Sequence, residues 1–425
     1  MPFGNGFRYN QSLMPDLSDR LKALGVKLGT EQLSRPKTAL KFPIESVVEG
    51  SLTATPHGDV FLVEALYPHS HAQGNTTLSL SAPLDLISVW AGEERMAQHT
   101  PEQFAFIDTE TTGLAGGSGT FAFMVGVGRF EEQGFRLAQF FMREPGEEPA
   151  LLHALEHFLA PCETIVSFNG KSYDLPLLQA RYITNSWPFP LQQTAHLDLL
   201  HLARRLWRQR LPSRALSYLE EHILEQTRSE EDTPGWMIPQ MYFDYLQSGD
   251  ARPMKGIFYH NAMDILSLAA LTNHIAHLLA DPLDGRVSHA LDLAAIGRLN
   301  EDLGYLDKAA RILEHSLDEG LPPQTRQEVI RRLSMLQKRR GEMALALSLW
   351  WQAAAERQIY AHEELAKYYE HTEKNFPEAL RWTQSALALL ALPNTPFADK
   401  LQWQAPLQHR QNRLQEKIAR QEQAE

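Results

Sequence analysis

The sequence predicts an α/β fold, a mixed sheet with flanking helices, followed by an all-α helical-repeat domain. Three observations predict it. Short apolar runs of strand type crowd residues 104–168 and then alternate with helical segments, the pattern of a mixed sheet covered by helices. After residue 282 no strand-like run occurs; Ala/Leu-rich amphipathic segments of about 12 to 16 residues follow one another with short breaks. Within them small residues recur seven apart, at Ala309 and Ser316, Ala346 and Ala353, Ala379 and Ala386, with offsets of 37 and 33 residues.

These regimes divide the chain into residues 1–98, 99–282 and 283–425. The first combines a short helical start with strand-like pieces. Val47–Thr53 and Asp59–Val63 flank Pro56-His57-Gly58, which reads as a hairpin, and no chemistry is visible there. In the second, Phe104–Ile107 reads as a buried strand. Phe121–Phe130 and Phe135–Met142 read as two more, joined by a Glu-Glu-Gln-Gly turn. Ala150–Leu159 is helical in pattern, and Thr164–Phe168 is a fourth strand bounded by Asn169-Gly170. The third holds the helical repeats, and its last segment, Gln402–Glu425, is a polar helix or a frayed tail.

The chain has 425 residues, enough for about two to three domains. With 43% hydrophobic and 22% charged residues it is not a disordered chain. Its one cysteine, Cys162, excludes a disulfide scaffold and fits a reducing compartment. No basic-then-apolar leader opens the sequence, and no uninterrupted apolar stretch approaches about 20 residues, so the expectation is a soluble, cytoplasmic protein without a membrane span. The net charge of −12, from 40 basic and 52 acidic side chains, argues against a passive nucleic-acid coat. It leaves open an enzyme whose metal site itself needs carboxylates.

The most informative stretch is Phe106-Ile107-Asp108-Thr109-Glu110-Thr111-Thr112-Gly113. An apolar strand runs into carboxylates at i and i+2, which period 2 places on one face. Side by side they repel unless a cation lies between them, and oxygen ligands of this kind suit Mg²⁺ or Mn²⁺. The plainer reading is a strand ending in a solvated loop. Asp174, in SFNGKSYDLPLL, follows a strand and a turn, and by itself fits a helix N-cap. Tyr259-His260-Asn261-Ala262-Met263-Asp264 opens a helix in which His260 and Asp264 share a face, or else form an exposed polar first turn.

Taken together, FIDTETTGL, SFNGKSYDLPLLQARY, HLDLLHLARRLWR and FYHNAMDILSL give the chain from about Phe104 to Leu279 a resemblance to the DEDD exonucleases of the ribonuclease-H-like fold. The chain most resembles the YprB-type branch, in which such a domain precedes tetratricopeptide-like helices. The resemblance implies a metal-dependent exonuclease, 3′ to 5′ on DNA, with Asp108, Glu110, Asp174 and Asp264 holding two Mg²⁺ or Mn²⁺ ions. It further implies a role in DNA repair or processing, with a helicase-type partner on the helical tail. The family's branches carry either His five residues before the last Asp or Tyr four before it. Here Tyr259 is five before and His260 four before, so His260 is the first candidate for assisting the attacking water and Tyr259 the second. A non-catalytic nucleic-acid or protein adaptor with the same fold, and a ribonuclease or structure-specific nuclease, are the alternatives.

Candidate substrate contacts surround these acids. Thr109 lies between the first two, and Asn169 and Lys171 lie beside Asp174. Arg204, Arg205, Arg208, Arg210 and Arg214 fall within eleven residues with no acid among them, a local positive patch that can track a phosphate backbone or simply be a solvated helix face. Trp207 within the run suits the core better than base stacking. Asp198 is either a fifth site carboxylate or, the plainer reading, a structural or supporting one; the backbone donors of the GLAGGSG loop at 113–119 can face a phosphate or, more plainly, form a tight connection; and Trp236 reads as a cover over the site or a packing residue.

Overall fold

A computed structural model describes residues 42–113 and 119–423. The expected helical start and most of the 113–119 loop lie outside the described residues. The expected hairpin forms as β1 (Ser51–Thr55) and β2 (Gly58–Tyr67). A small hairpin, β3 (Ala72–Gln73) and β4 (Thr76–Thr77), and a short helix, α1 (Asp85–Ala91), lead to β5 (Phe104–Thr111). There follow β6 (Ala122–Glu131), β7 (Gly134–Phe141), α2 (Glu148–Leu159), β8 (Thr164–Ser167), α3 (Asp174–Thr184), β9 (Ala195–Asp198) and α4 (Leu199–Trp207). A short turn of helix, α5 (Leu216–Leu219), precedes α6 (Ile238–Ser248) and α7 (Met254–Ala280).

The seven-stranded sheet has the order β1-β2-β7-β6-β5-β8-β9. β8 runs parallel to β5 and to β9, whereas β6, β7, β2 and β1 continue outward from β5 as antiparallel neighbours. The hairpin from the first stretch of the chain thus extends the sheet of the second. β9 carries no signature in the sequence: its four residues are too few to show a period before the chain turns into α4.

Alternation along β5 sorts the core. Phe104 and Phe106 pack with α4 and α7, while Ala105 and Ile107 pack on the opposite face with α2 and α6. At the strand's end the same alternation directs Asp108 and Glu110 towards α7 and Thr109 towards α3. By length and composition α7 would pass for a membrane-crossing helix, but 78% of its most apolar window is buried within the fold, so it is the central core helix. Trp207 is wholly buried and belongs to the core, as expected, rather than to a base-stacking surface.

The remainder is helical: α8 (Ala290–Asp302), α9 (Leu306–Asp318), α10 (Pro323–Arg340), α11 (Met343–Ala355), α12 (Ile359–His371), α13 (Phe376–Leu390) and α14 (Phe397–Glu422). The recurring small residues fall on α9, α11 and α13, the second helix of each successive pair, and all six are buried. Small side chains at that spacing let paired helices approach closely. Leu293, Ile296 and Leu299 of α8 join the same core as Trp207 and α7, so the helical region is continuous with the sheet domain.

Candidate active site

Three elements meet at the carboxyl end of β5. The strand supplies Asp108 and Glu110, the first residue of α3 supplies Asp174, and the third turn of α7 supplies Asp264. Because α7 starts at Met254, His260 and Asp264 lie inside the helix rather than in an exposed first turn. Glu110 and Asp174 are buried.

Asp108 accepts a hydrogen bond from Asn261 Nδ2 at 2.9 Å. Asn261 is itself fixed, because its Oδ1 accepts from Gln139 Nε2 at 3.0 Å, and Gln139 also donates to the Phe258 carbonyl at 2.8 Å. This wedge needs the glycine that pairs with Asp108 across the sheet: a Cβ at Gly126 would stand 2.1 Å from Asn261 Oδ1. On the other face of β5, the Thr109 hydroxyl donates to Asp174 Oδ1. Asp174 is therefore no N-cap; that position is Tyr173, whose side chain makes no cap.

The turn before α3 is built around Asn169, whose φ of 67° lies in the left-handed region that Asn tolerates. Asp198 holds this turn. Its carboxylate accepts from the backbone amides of Asn169 (2.8 Å), Lys171 (3.2 Å) and Leu200 (3.1 Å), so it caps α4 and braces the segment preceding Asp174. The Lys171 side chain is exposed and the Asn169 side chain partly so.

Electrostatics marks the four acids as one group. Burial pushes the Asp108 carboxyl well above the usual carboxylate range, and the charges of Asp264, Glu110 and Asp174 push it further. Burial and the charges of Asp264 and Asp174 do the same to Glu110, with Arg228 working against them. Asp174 is pushed up to about 6, chiefly by burial, against the hydrogen bond from Thr109. Clustered carboxylates whose charges oppose a neighbour's ionisation in this way attract a cation. An all-oxygen donor set of this kind fits a hard divalent ion such as Mg²⁺ or Mn²⁺. No group of three or more His, Cys, Asp or Glu among the described residues is already closed around a single point. Instead Arg228 occupies one side of the acids. Its guanidinium pairs with Glu220 through two hydrogen bonds of 2.6 Å and donates to Asp264 Oδ1.

His260 and Tyr259 have different surroundings. His260 Nδ1 lies 2.8 Å from Asp232 Oδ1, and its Nε2 lies 3.8 Å from Asp264 Oδ2. The Tyr259 hydroxyl accepts from the Ser229 amide at 2.9 Å. Trp236 neither packs nor is enclosed; it is 76% exposed, next to Gly235, whose added Cβ would stand 3.8 Å from His260 Nε2. Tyr173, also exposed, immediately precedes Asp174.

The arginine run divides. Arg210 turns inward to pair with Asp292 at 3.1 Å, and Arg214 donates to the Leu211 and Pro212 carbonyls. Arg205 pairs with Asp302, while Arg204 and Arg208 are exposed and make no ion pair among the described residues. Sequence reasoning passes over Asn261, Gln139, Arg228 and Asp232. Asn261 stands inside the FYHNAMDILSL motif between two candidate residues, and that neighbourhood is the available signal.

Residues 105–276 match the RNase_H superfamily. The chain is 30% identical over 352 residues to the uncharacterized protein YprB of Bacillus subtilis (strain 168), covering 80% of this chain and 83% of that one. Among solved structures, the family B DNA polymerase from the hyperthermophilic archaeon Pyrobaculum calidifontis aligns with a TM-score of 0.35 and 13% identity, over 51% of this chain and 29% of the polymerase.

Proposed function

The chain belongs to the RNase_H superfamily and is kin to YprB, and on that premise we propose that it is a metal-dependent exonuclease hydrolysing phosphodiester bonds. The observation that carries this reading is the meeting of Asp108, Glu110, Asp174 and Asp264, from one strand and two helices, as mutually repelling carboxylates. Asp108, Glu110, Asp174 and Asp264 would hold two Mg²⁺ or Mn²⁺ ions. When bound, such ions neutralise charge on the phosphate and on the leaving oxygen.

The rest of the work falls to this chain's side chains. Asp232 at Nδ1 orients His260 and leaves Nε2 on the side of Asp264, where it can take a proton from the attacking water. The Tyr259 hydroxyl, engaged by the Ser229 amide, is the weaker choice. Asn261 and Thr109 fix the orientation of Asp108 and Asp174. Arg228 keeps a positive charge beside Asp264, suited to a non-bridging phosphate oxygen. The side chains of Asn169, Lys171, Arg204, Arg205 and Arg208 offer contacts to the strand, and exposed Trp236 and Tyr173 offer rings on which end bases stack.

The 3′ to 5′ polarity, the preference for DNA, the repair setting and a helicase-type partner on the TPR-like helices complete the reading and rest on the resemblance alone. A 5′-labelled single strand, incubated with Mn²⁺ beside an Asp264→Ala control, tests the core of it. A descending ladder missing from the control is the expected result. Equal cleavage by both proteins would place the activity elsewhere.

A further inference from the structure

Where α4 of the sheet domain meets α8 and α10 of the helical region, a cavity of about 850 Å³ opens. Its lining holds Arg204, Arg205 and Arg208 from α4 and the residue that caps it, Arg298 from α8, and Arg332 from α10, with Glu328 as the one acid. Arg205 and Arg332 are partly neutralised by Asp302 and Glu301 at the rim. Arg204 and Arg208 have no ion partner among the described residues. Arg298 is 9% exposed, yet its Nη1 has no hydrogen-bond partner, and its nearest acid, Glu328, is 3.8 Å away. A buried, unsatisfied guanidinium nitrogen is costly unless a ligand meets it.

We infer that this cavity is a phosphate-binding cleft for the nucleic-acid strand whose end lies at the acidic site, so that the helical region forms one wall of the substrate path. Guanidinium groups on both walls suit the paired oxygens of successive phosphates, and Trp90, also in the lining, gives a base a face to stack on. The cleft is tied to the acids by a single rigid element. α4 is capped by Asp198, which holds the turn before Asp174, and spans about 14 Å to the arginines at its other end. On a chain of net charge −12, a strand is drawn to this concentrated basic surface and repelled by the acidic ones. The identity of the polyanion rests on the nuclease reading; the cleft itself does not.

The test reads binding apart from cleavage. Fluorescence anisotropy of a labelled single-stranded oligonucleotide, in EDTA and at several salt concentrations, is compared for the full-length protein, Arg204→Gln/Arg208→Gln and Arg298→Gln. The exposed double variant guards against a folding defect in the buried one. The expected result is a Kd raised about tenfold or more, with the slope of log K against log salt lowered by about 0.7 for each phosphate that an arginine no longer neutralises. Binding and slope unchanged in the variants would overturn the cleft, even if the protein degrades DNA. Wild-type protein that binds no strand would overturn it as well. Arginine-dependent binding of polyglutamate, with oligonucleotide binding unaffected, would assign the cleft to an acidic protein segment instead. Arginine-dependent strand binding without hydrolysis in Mn²⁺ would keep the cleft and remove the nuclease.

Discussion

Asn261 and Asp108 are joined by a 2.9 Å hydrogen bond between Nδ2 and Oδ2, and it ties the core helix to the strand that carries the first two acids. The Asn261 end of the bond is fixed, because Gln139 holds the amide and Gly126 leaves room for it. Asn261→Ala removes the donor and leaves Gln139 with the Phe258 carbonyl but without its second acceptor. Activity should fall about 10- to 100-fold, and stability should drop by about 1–3 kcal/mol. Gly126→Ala should reproduce both effects at a similar size by displacing the amide. Single-turnover rates and thermal melts of the two variants check this; full activity in Asn261→Ala would mean that Asp108 is positioned by other means.

The acids also set a pH dependence. A carboxyl whose pKa is higher in the folded chain stabilises it while protonated, and that contribution fades as pH rises towards the folded value. For Asp174 the window runs from its ordinary value of 3.8 to about 6. In EDTA the melting temperature should therefore decline across this range, and Asp174→Asn should flatten the decline. At pH 7 saturating Mn²⁺ should reverse it, worth about 2.7 kcal/mol at a hundredfold excess over Kd. An identical Mn²⁺ shift in Asp108→Asn/Asp174→Asn would put the ion elsewhere.

Trp236 invites a cleaner separation of binding from folding. Being 76% exposed, it contributes little to the core, and Trp236→Ala should leave stability within about 0.5 kcal/mol of wild type. Loss of one stacked base should weaken strand-end binding by about 1–3 kcal/mol. Anisotropy with single-stranded and blunt duplex ends measures it, and undiminished affinity for both would remove the ring from the substrate path.

Far from the acids, Glu370 gathers Arg410, Arg413 and Lys417 of α14 around a fully buried carboxylate. Burial alone would raise its pKa, but the hydrogen bonds from Arg413 and Lys417 and the charges of Arg413 and Arg410 outweigh it and hold the group at about 2. The stability this lends is complete above about pH 4.5 and is lost as pH falls towards 2. Glu370→Gln should loosen α14 by about 2 kcal/mol at neutral pH. Hydrogen exchange should show this loss confined to α14 and its neighbours; protection equal to wild type would show that apolar packing alone holds the helix.

What can be read from the sequence follows local periods. Period 2 puts Asp108 and Glu110 on one strand face, and the i, i+4 relation puts His260 with Asp264, because both rules act within one element. The buried small residues of α9, α11 and α13 are legible for the same reason. Asn261 escapes because its role depends on Gly126 and Gln139, which belong to two other strands. Arg228 lies 36 residues from Asp264 in a segment without period, so nothing local announces their pairing. β9 is too short to carry a signal. The membership of β1 and β2 in the main sheet depends on register with β7, which no hairpin pattern reveals.

That register has a temporal consequence. β2 pairs Phe61 with Phe141, 80 residues later, and Phe61 also packs edge-on against Phe258. At about 5–20 residues per second, a growing chain carries β2 for roughly 4–16 s before β7 has been synthesised, and longer before α7 arrives. During that interval the open strand edge and its phenylalanine face solvent, a demand on chaperones during synthesis that the finished fold no longer shows.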